Sequence, residues 1–407
     1  MRILHVMKIF PNPPLDGFRC DIWDRIRSMR NLGYSVHVLI TIREGEGHQN
    51  DSGLRELRSM VDRVDLVERA PRFRSLLGLR PSLVARNDTL AAFQLNGEYD
   101  MTIAESEHVI PIFDNPLLRT KLRVLRVHNN ESKYMWELAH ADERLSWKAF
   151  FGLEALRYRG YMRVAHEKAS FRWFVSQVEC PGFGTGEIKT KQTAVWIPPA
   201  VSLRDVPERP PKERRRVLFV GGLKNPLNRY GLRWYLQKVH PLLIQNPIYE
   251  LAIAGNTEGT KPAHDLLKWA QTLGRCSVHP DVSDLGPLYD SCALLINPMR
   301  RGAGVKLKTL HAIQRKIPLV TTSTGAEGSG FVHREHIRIE DSARGFADAV
   351  LEILQDPESG VAMAKRAYTF LAANYNHEKN IERFLCAHLD IPESSMGDIP
   401  MPSLTRS

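Results

Sequence analysis

Gly302, Gly304, Lys306 and Lys308 alternate along a stretch of this 407-residue chain that is suited to holding an anion. The stretch follows an apolar run, Ala293–Ile296, and opens a helical pattern over 306–315. Glycines let a ligand approach the backbone, and the N–H groups and dipole at a helix start attract negative charge. Each lysine near such a start is unfavourable by about 0.3–1 kcal/mol unless something compensates it. A bound diphosphate would reverse that sign. Residues two apart on a helix point about 200° apart, so Lys306 is expected in the loop and Lys308 at the first turn. The competing reading is a solvated basic turn.

Other phosphate and metal chemistries lack their residues. The first apolar run leads into Pro11-Asn-Pro-Pro-Leu-Asp-Gly17, where a dinucleotide fold needs Gly-x-Gly-x-x-Gly, and no Gly-x-x-x-x-Gly-Lys-Ser/Thr occurs. Cys20, Cys180, Cys276, Cys292 and Cys386 form no Cys-x-x-Cys pair. An odd, scattered set fits a reducing compartment with buried thiols. The cysteines therefore offer no metal-ligand spacing, and no cofactor is expected.

The elements around the loop follow a repeating rhythm. Residues 2–9 suit a buried strand; Ile22, Ile26, Met29 and Leu32 share a helical face, with Arg25, Arg27 and Arg30 elsewhere; Ser35–Ile40 suits a second strand. Further strands are expected at 101–104, 122–127, 174–176 and 195–199, with a long helix at 146–172 between them. Residues 43–90 resist assignment. The rhythm restarts with a strand at 217–220, a helix at 228–245, a strand at 251–254 and a helix at 263–272. It ends with strands at 293–296 and 318–321 and helices to about 390. The length favours two domains of roughly 200 residues. The boundaries fall at 1–204, a charged, proline-rich linker at 205–216, a second domain at 217–375, a helix at 376–390 packing back on the first domain, and a disordered tail at 391–407. Such a pair of α/β domains binds ligands in the cleft between them.

Hydrophobic residues make up 43% of the chain and charged residues 25%, ordinary for a globular protein. The net charge of +10 fits an anionic partner or simple solubility. The basic residues lack interleaved aromatic platforms, so nucleic acid is not expected. No apolar run approaches a membrane span, and the N-terminal one is too short for a signal peptide. A cytoplasmic protein is expected. Residues 146–172 mix Phe150, Phe151, Leu153, Leu156, Tyr161 and Val164 with Arg157, Arg159, Arg163 and Lys168. Such a helix either packs on the core or lies on the inner face of an anionic membrane.

In order and spacing the motifs resemble the retaining GT-B glycosyltransferases of family 4. They comprise Gly17 after a proline-rich loop, Arg126-Val-His128-Asn129-Asn-Glu131, Val220-Gly221-Gly222-Leu, Leu251-Ala-Ile-Ala-Gly255, Asp281-Val-Ser-Asp, the Gly302–Lys308 stretch and Gly325-Ala-Glu327-Gly328. The resemblance implies an α/β GT-B architecture, two Rossmann-like domains facing each other across a cleft. It implies transfer of a sugar from a nucleotide sugar, UDP- or GDP-linked, to a glycan, lipid-linked or small-molecule acceptor, in polysaccharide or glycoconjugate biosynthesis. Retention and metal independence come with it.

By the same resemblance, Gly302, Gly304, Lys306 and Lys308 hold the donor diphosphate, with Lys306 and His128 catalytic. Gly222 and Lys224 (with Leu223) line the cleft, Asp281 and Val282 lie near the nucleobase, and Gly17 and Asn129 face the acceptor. Without the resemblance, His128 would be read as structural. Many relatives carry Glu-x7-Glu across the loop and its helix; here those positions are Ala303 and His311. A neutral imidazole accepts one hydrogen bond where a carboxylate accepts several. Glu327 is a substitute for ribose or sugar hydroxyls, or else a cap. An epimerase of the same fold and a non-catalytic sugar-nucleotide binder are the competing readings.

Overall fold

The structure, a computed structural model, describes residues 1–12, 17–44, 46, 51–71, 75, 78–181, 193–201 and 216–389. The expected linker, apart from Arg216, and the expected tail lie outside the described residues.

Two all-parallel sheets form the framework. The first joins β1 (Arg2–Met7), β2 (Ser35–Ile42), β3 (Arg63–Glu68), β4 (Glu98–Glu105), β5 (Arg119–Val127), β6 (Phe171–Phe174) and β7 (Thr193–Trp196) in the order β3-β2-β1-β4-β5-β6-β7. The second joins β8 (Arg216–Gly222), β9 (Glu250–Asn256), β10 (Cys276–Pro280), β11 (Cys292–Asn297), β12 (Leu319–Thr321) and β13 (Arg338–Ile339) in the order β10-β9-β8-β11-β12-β13. This is the GT-B arrangement. In each sheet the strand order reverses beside the first strand, at β1/β4 and at β8/β11. Ligands bind outside the carboxyl ends of strands at such reversals.

The strands read as apolar runs because both faces are covered. On β1, Ile3 and Met7 pack with Ile22, Ile26 and Met29 of helix Gly17–Asn31. Leu4 and Val6 face the other way, towards Val109, Ile110 and Tyr158. The helix His377–His388 packs Ile381, Phe384 and Leu385 into the first of these clusters. In the second sheet Val217, Phe219, Ile253 and Ile296 lie on one face, and Leu218, Ala252 and Leu295 on the other.

Some elements differ from expectation. The single helix expected at 228–245 is a helix Pro226–Trp234, a wider π-turn Tyr235–Val239 and a short helix His240–Leu243. Pro241 has no N–H to give, and loosened turns of this kind are a common accommodation. β3, β10 and the helix Glu131–Ala141 were not anticipated. The helix Leu145–Glu167 buries Glu154, Ala155, Tyr158, Tyr161 and Ala165, while Leu153, Leu156 and Val164 are exposed. Those three therefore do not pack on the core, whereas Tyr161 does.

Candidate active site

Alternation along the first sheet sets one side of the site. His5, Glu105 and Arg126 follow the period of the residues beneath helix Gly17–Asn31, so three polar side chains are buried on that face. Glu105 receives His5 Nε2 at 2.6 Å, Arg25 Nε at 2.8 Å and His128 Nε2 at 2.7 Å. Asp21 pairs with Arg25 one turn along its helix and receives the Ala200 N–H at 2.6 Å. Arg126 donates to the Pro198 carbonyl at 3.0 Å and lies 3.5 Å from Asp21. Burial alone would raise the Asp21 carboxyl, but Arg25, Arg126 and His128 overcome this and hold it at about 2. Glu105 is likewise held well below its ordinary value: burial opposes ionisation, and Arg25 and the two imidazoles outweigh it.

This network also holds the His128 side chain. Nε2 meets Glu105, Nδ1 lies 3.7 Å from Asp21, and the ring packs on Phe18 at 4.4 Å. Both nitrogens point into the protein rather than towards the cleft. Burial lowers the imidazole pKa against the pull of Glu105, and the ring braces the end of β5. Its backbone carbonyl faces the other domain instead. A methyl built on Gly304, whose φ is +68°, would lie 2.6 Å from that oxygen. Asn129 borders the same glycine and faces the Glu131 carboxyl, which burial raises to about 7.

Asp21, Glu105 and His128 could present ligand atoms within 4.8 Å of one another. The two carboxylates are already matched by the guanidiniums of Arg25 and Arg126. A cation there would have to displace them.

The second domain supplies the loop. Lys306 caps the helix Leu307–Gln314 in an extended conformation, and Lys308 is its second residue. Lys306 Nζ, almost fully buried, donates to the Gly304 carbonyl at 2.5 Å and the Ala303 carbonyl at 3.2 Å, and lies 3.5 Å from Glu327. Burial lowers its pKa, with Glu327 opposing. Lys308 turns the other way. Its ammonium donates to Asn228 Oδ1 at 2.7 Å and sits 5.2 Å from the Phe219 ring centroid, beside the glycine turn that ends β8. Asn228 in turn donates to the Gly222 carbonyl at 2.8 Å. Gly222, Asn228 and Lys308 thus form one group, and Gly302, Gly304, Lys306 and Glu327 another, on two sides of one helix start.

Glu327 joins the domains. Its Oε1 accepts from Lys133 Nζ at 2.6 Å, on the first turn of helix Glu131–Ala141. Arg301 reaches Glu137 of that helix at 3.1 Å. Lys133, Glu137, Arg300, Arg301, Gly302, Ser323, Thr324 and Glu327 line a cavity of about 520 Å³. Gly17 starts its helix against the same region, where a methyl on it would meet Leu307 Cδ1 at 2.7 Å. Neither Lys133 nor Arg301 was singled out from sequence. Lys133, four positions before Glu137 on a helix, reads as surface.

The remaining expected residues lie elsewhere. Lys224 is exposed and paired with Glu258 at 2.6 Å, and Leu223 is fully buried. Leu223 therefore does not line the cleft. Asp281, in the left-handed region at φ 51°, accepts from the Thr257 N–H and hydroxyl at 2.7 Å each; Val282 beside it is exposed. His311 lies one helical turn beyond the lysines, its imidazole pushed down to about 4 by burial and by Arg315.

Residues 214–356 match the family model described as glycosyl transferases group 1. An uncharacterized 44.6 kDa protein in the cps region of Klebsiella pneumoniae is 30% identical over 389 residues, 93% of this chain and 97% of that protein. The chain belongs to the group 1 glycosyl transferases. The glycosyltransferase is also similar in fold to a mutant of TarM from S. aureus in complex with Fondaparinux, alpha-GlcNAc-glycerol and UDP. That match has TM-score 0.67 at 8% identity and covers 96% of this chain and 100% of the other. Anabaena HepE in complex with UDP and glucose matches with TM-score 0.63 at 14% identity, over 95% of this chain and 100% of that one. Both are GT-B structures, and the likeness is one of fold.

Proposed function

We propose that this glycosyltransferase moves a sugar, with retention, from a UDP- or GDP-linked donor to a glycan or lipid-linked acceptor during polysaccharide assembly. The observation that carries the donor assignment is the pair of ammoniums, Lys306 and Lys308, set on two sides of a helix start at the domain cleft. Breaking the bond to a nucleoside diphosphate leaves negative charge on phosphate oxygens. Fixed N–H groups and cations aimed there favour the transition state over the ground state. UDP in the TarM and HepE structures supports the same use of the fold. The cps-region relative supports polysaccharide assembly.

His128 acts here as a positioning residue. Held by Glu105, it fixes the β5 end against Gly304 and so sets the distance between acceptor and donor domains. Retention follows from the family resemblance. The matched charges around Asp21 and Glu105 support a reaction without a metal. Glu327 and His311 are assigned to ribose or sugar hydroxyls, Gly17 and Asn129 to the acceptor side, Gly222 and Lys224 to the cleft edge, and Asp281 and Val282 to the nucleobase loop.

The test is release of nucleoside diphosphate from a panel of UDP- and GDP-sugars. Wild type should release it, and Lys306→Ala should do so about ten- to a hundred-fold more slowly, the loss of one charge-assisted hydrogen bond. Donor binding without any release or transfer would favour the non-catalytic reading, to which Ala303 and His311 lend weight.

A further inference from the structure

The helix Leu145–Glu167 turns an apolar face to solvent. Leu145 is 82% exposed, Leu156 63%, Leu153 48% and Val164 47%. The steps between these positions, of eight, three and eight residues, return to one side of a helix. Trp136, on the packed neighbouring helix, is 52% exposed. Nothing in the packing accounts for this face, because the opposite side of the helix supplies the buried residues.

The charges on and beside this face are basic apart from Glu167. Lys148 and Arg159 are exposed and form no ion pair with a carboxylate among the described residues; Arg163 adds a third cation, paired with Glu167 at 3.1 Å. Leucines flanked by long cationic side chains match the boundary of an anionic bilayer. Apolar side chains enter the acyl region there while ammonium and guanidinium groups reach the headgroups. A tryptophan beside them suits the same boundary. An apolar protein partner would leave the exposed cations Lys148 and Arg159 without a reason.

We infer that this face docks the enzyme on a bilayer containing anionic phospholipid. The placement fits the cleft. Trp136 lies one turn beyond Lys133, which reaches Glu327 across the domains, so a docked bilayer would sit beside the cleft mouth. That consequence rests on the lipid-linked form of the acceptor proposed above; the docking itself does not.

The test is flotation of the full chain with phosphatidylcholine vesicles, with and without phosphatidylglycerol, in the absence of donor. Wild type should float only with the anionic vesicles and be released by salt, which screens exposed charge. The Leu153→Ser/Leu156→Ser variant should partition about tenfold less, the change expected when part of two leucine side chains no longer enters the acyl region. Lys148→Glu/Arg159→Glu should lose the preference for anionic vesicles. All these positions are exposed, and circular dichroism melting of each variant checks that folding is retained. Absence of wild-type flotation, or equal flotation by the variants, would overturn the inference. So would a concentration-dependent dimer in light scattering that the leucine variant abolishes, since a second copy would then own the face. Thermal shifts with UDP and GDP on the same samples report separately on the donor reading.

Discussion

Lys306 and Lys308 leave the start of one helix in different directions, the first ammonium bound to the Gly304 carbonyl and the second to Asn228 Oδ1. The divergence follows from the helical repeat. Burial, with repulsion from Lys306, pushes the Lys308 ammonium down to about 7. A diphosphate favours the charged form, so its binding should raise that pKa and take up a proton. Affinity should be full below pH 7 and weaken as pH rises through the free-state value, by up to about tenfold per unit. Titration calorimetry in buffers of different ionisation enthalpy checks this. Lys308→Met should bind more weakly and lose the pH dependence.

Gly304→Ala should prevent the domains from meeting as they do here. The added methyl would lie 2.6 Å from the His128 carbonyl, and φ of +68° costs a non-glycine residue roughly 1–2 kcal/mol. Activity should fall about tenfold or more if the closed cleft is needed. Neither domain core is touched, so the melting temperature should fall only by the few degrees that this backbone strain implies. Kinetics and calorimetry on one preparation separate the two effects.

Asp21→Asn should destabilise the first domain by about 3–5 kcal/mol, because it breaks a buried charge network on one side. The native carboxyl sits at about 2, below its ordinary 3.8. Its contribution is therefore complete above about pH 3.8 and is lost as pH falls from there through about 2, on the order of 2 kcal/mol. Urea denaturation across the acid range should show this slope in wild type and a shallower one in the variant.

His311→Glu should tighten nucleotide binding if the ribose lies where the resemblance puts it. The native imidazole is neutral at physiological pH and accepts a single hydrogen bond, whereas a carboxylate accepts several. One more charge-assisted hydrogen bond corresponds to about tenfold or more in Kd. Unchanged affinity, by calorimetry with nucleoside diphosphates, would place the ribose elsewhere.

The second domain was the more legible one, because apolar runs such as Leu251–Ala254 and Ala293–Ile296 alternate cleanly with helical patterns. In the first domain, β3 (Arg63-Val-Asp-Leu-Val-Glu68) lies at the sheet edge, and its charged ends conceal the strand. The loop lysines could be placed from helical geometry alone. The Asp21–Arg25–Glu105–Arg126 network could not, since each charge reads as surface. Asp21 and Arg25, four apart on a helix, and Glu105, closing an apolar strand, were the available signals. The sequence also leaves open which side of helix Leu145–Glu167 packs inward; Tyr161 is buried, whereas Leu153, Leu156 and Val164 are exposed. Composition tells that a helix is amphipathic, but here Glu154 and two tyrosines took the inner side.

The central claim, that the loop at Lys306 and Lys308 holds a nucleoside diphosphate, is tested most directly by thermal shift with UDP, GDP and their sugars. A ligand at a hundred times its Kd should stabilise wild type by about 2.7 kcal/mol, and Lys306→Ala should largely lose that gain at the same concentration. A folded wild-type protein that none of these nucleotides stabilises would contradict the account.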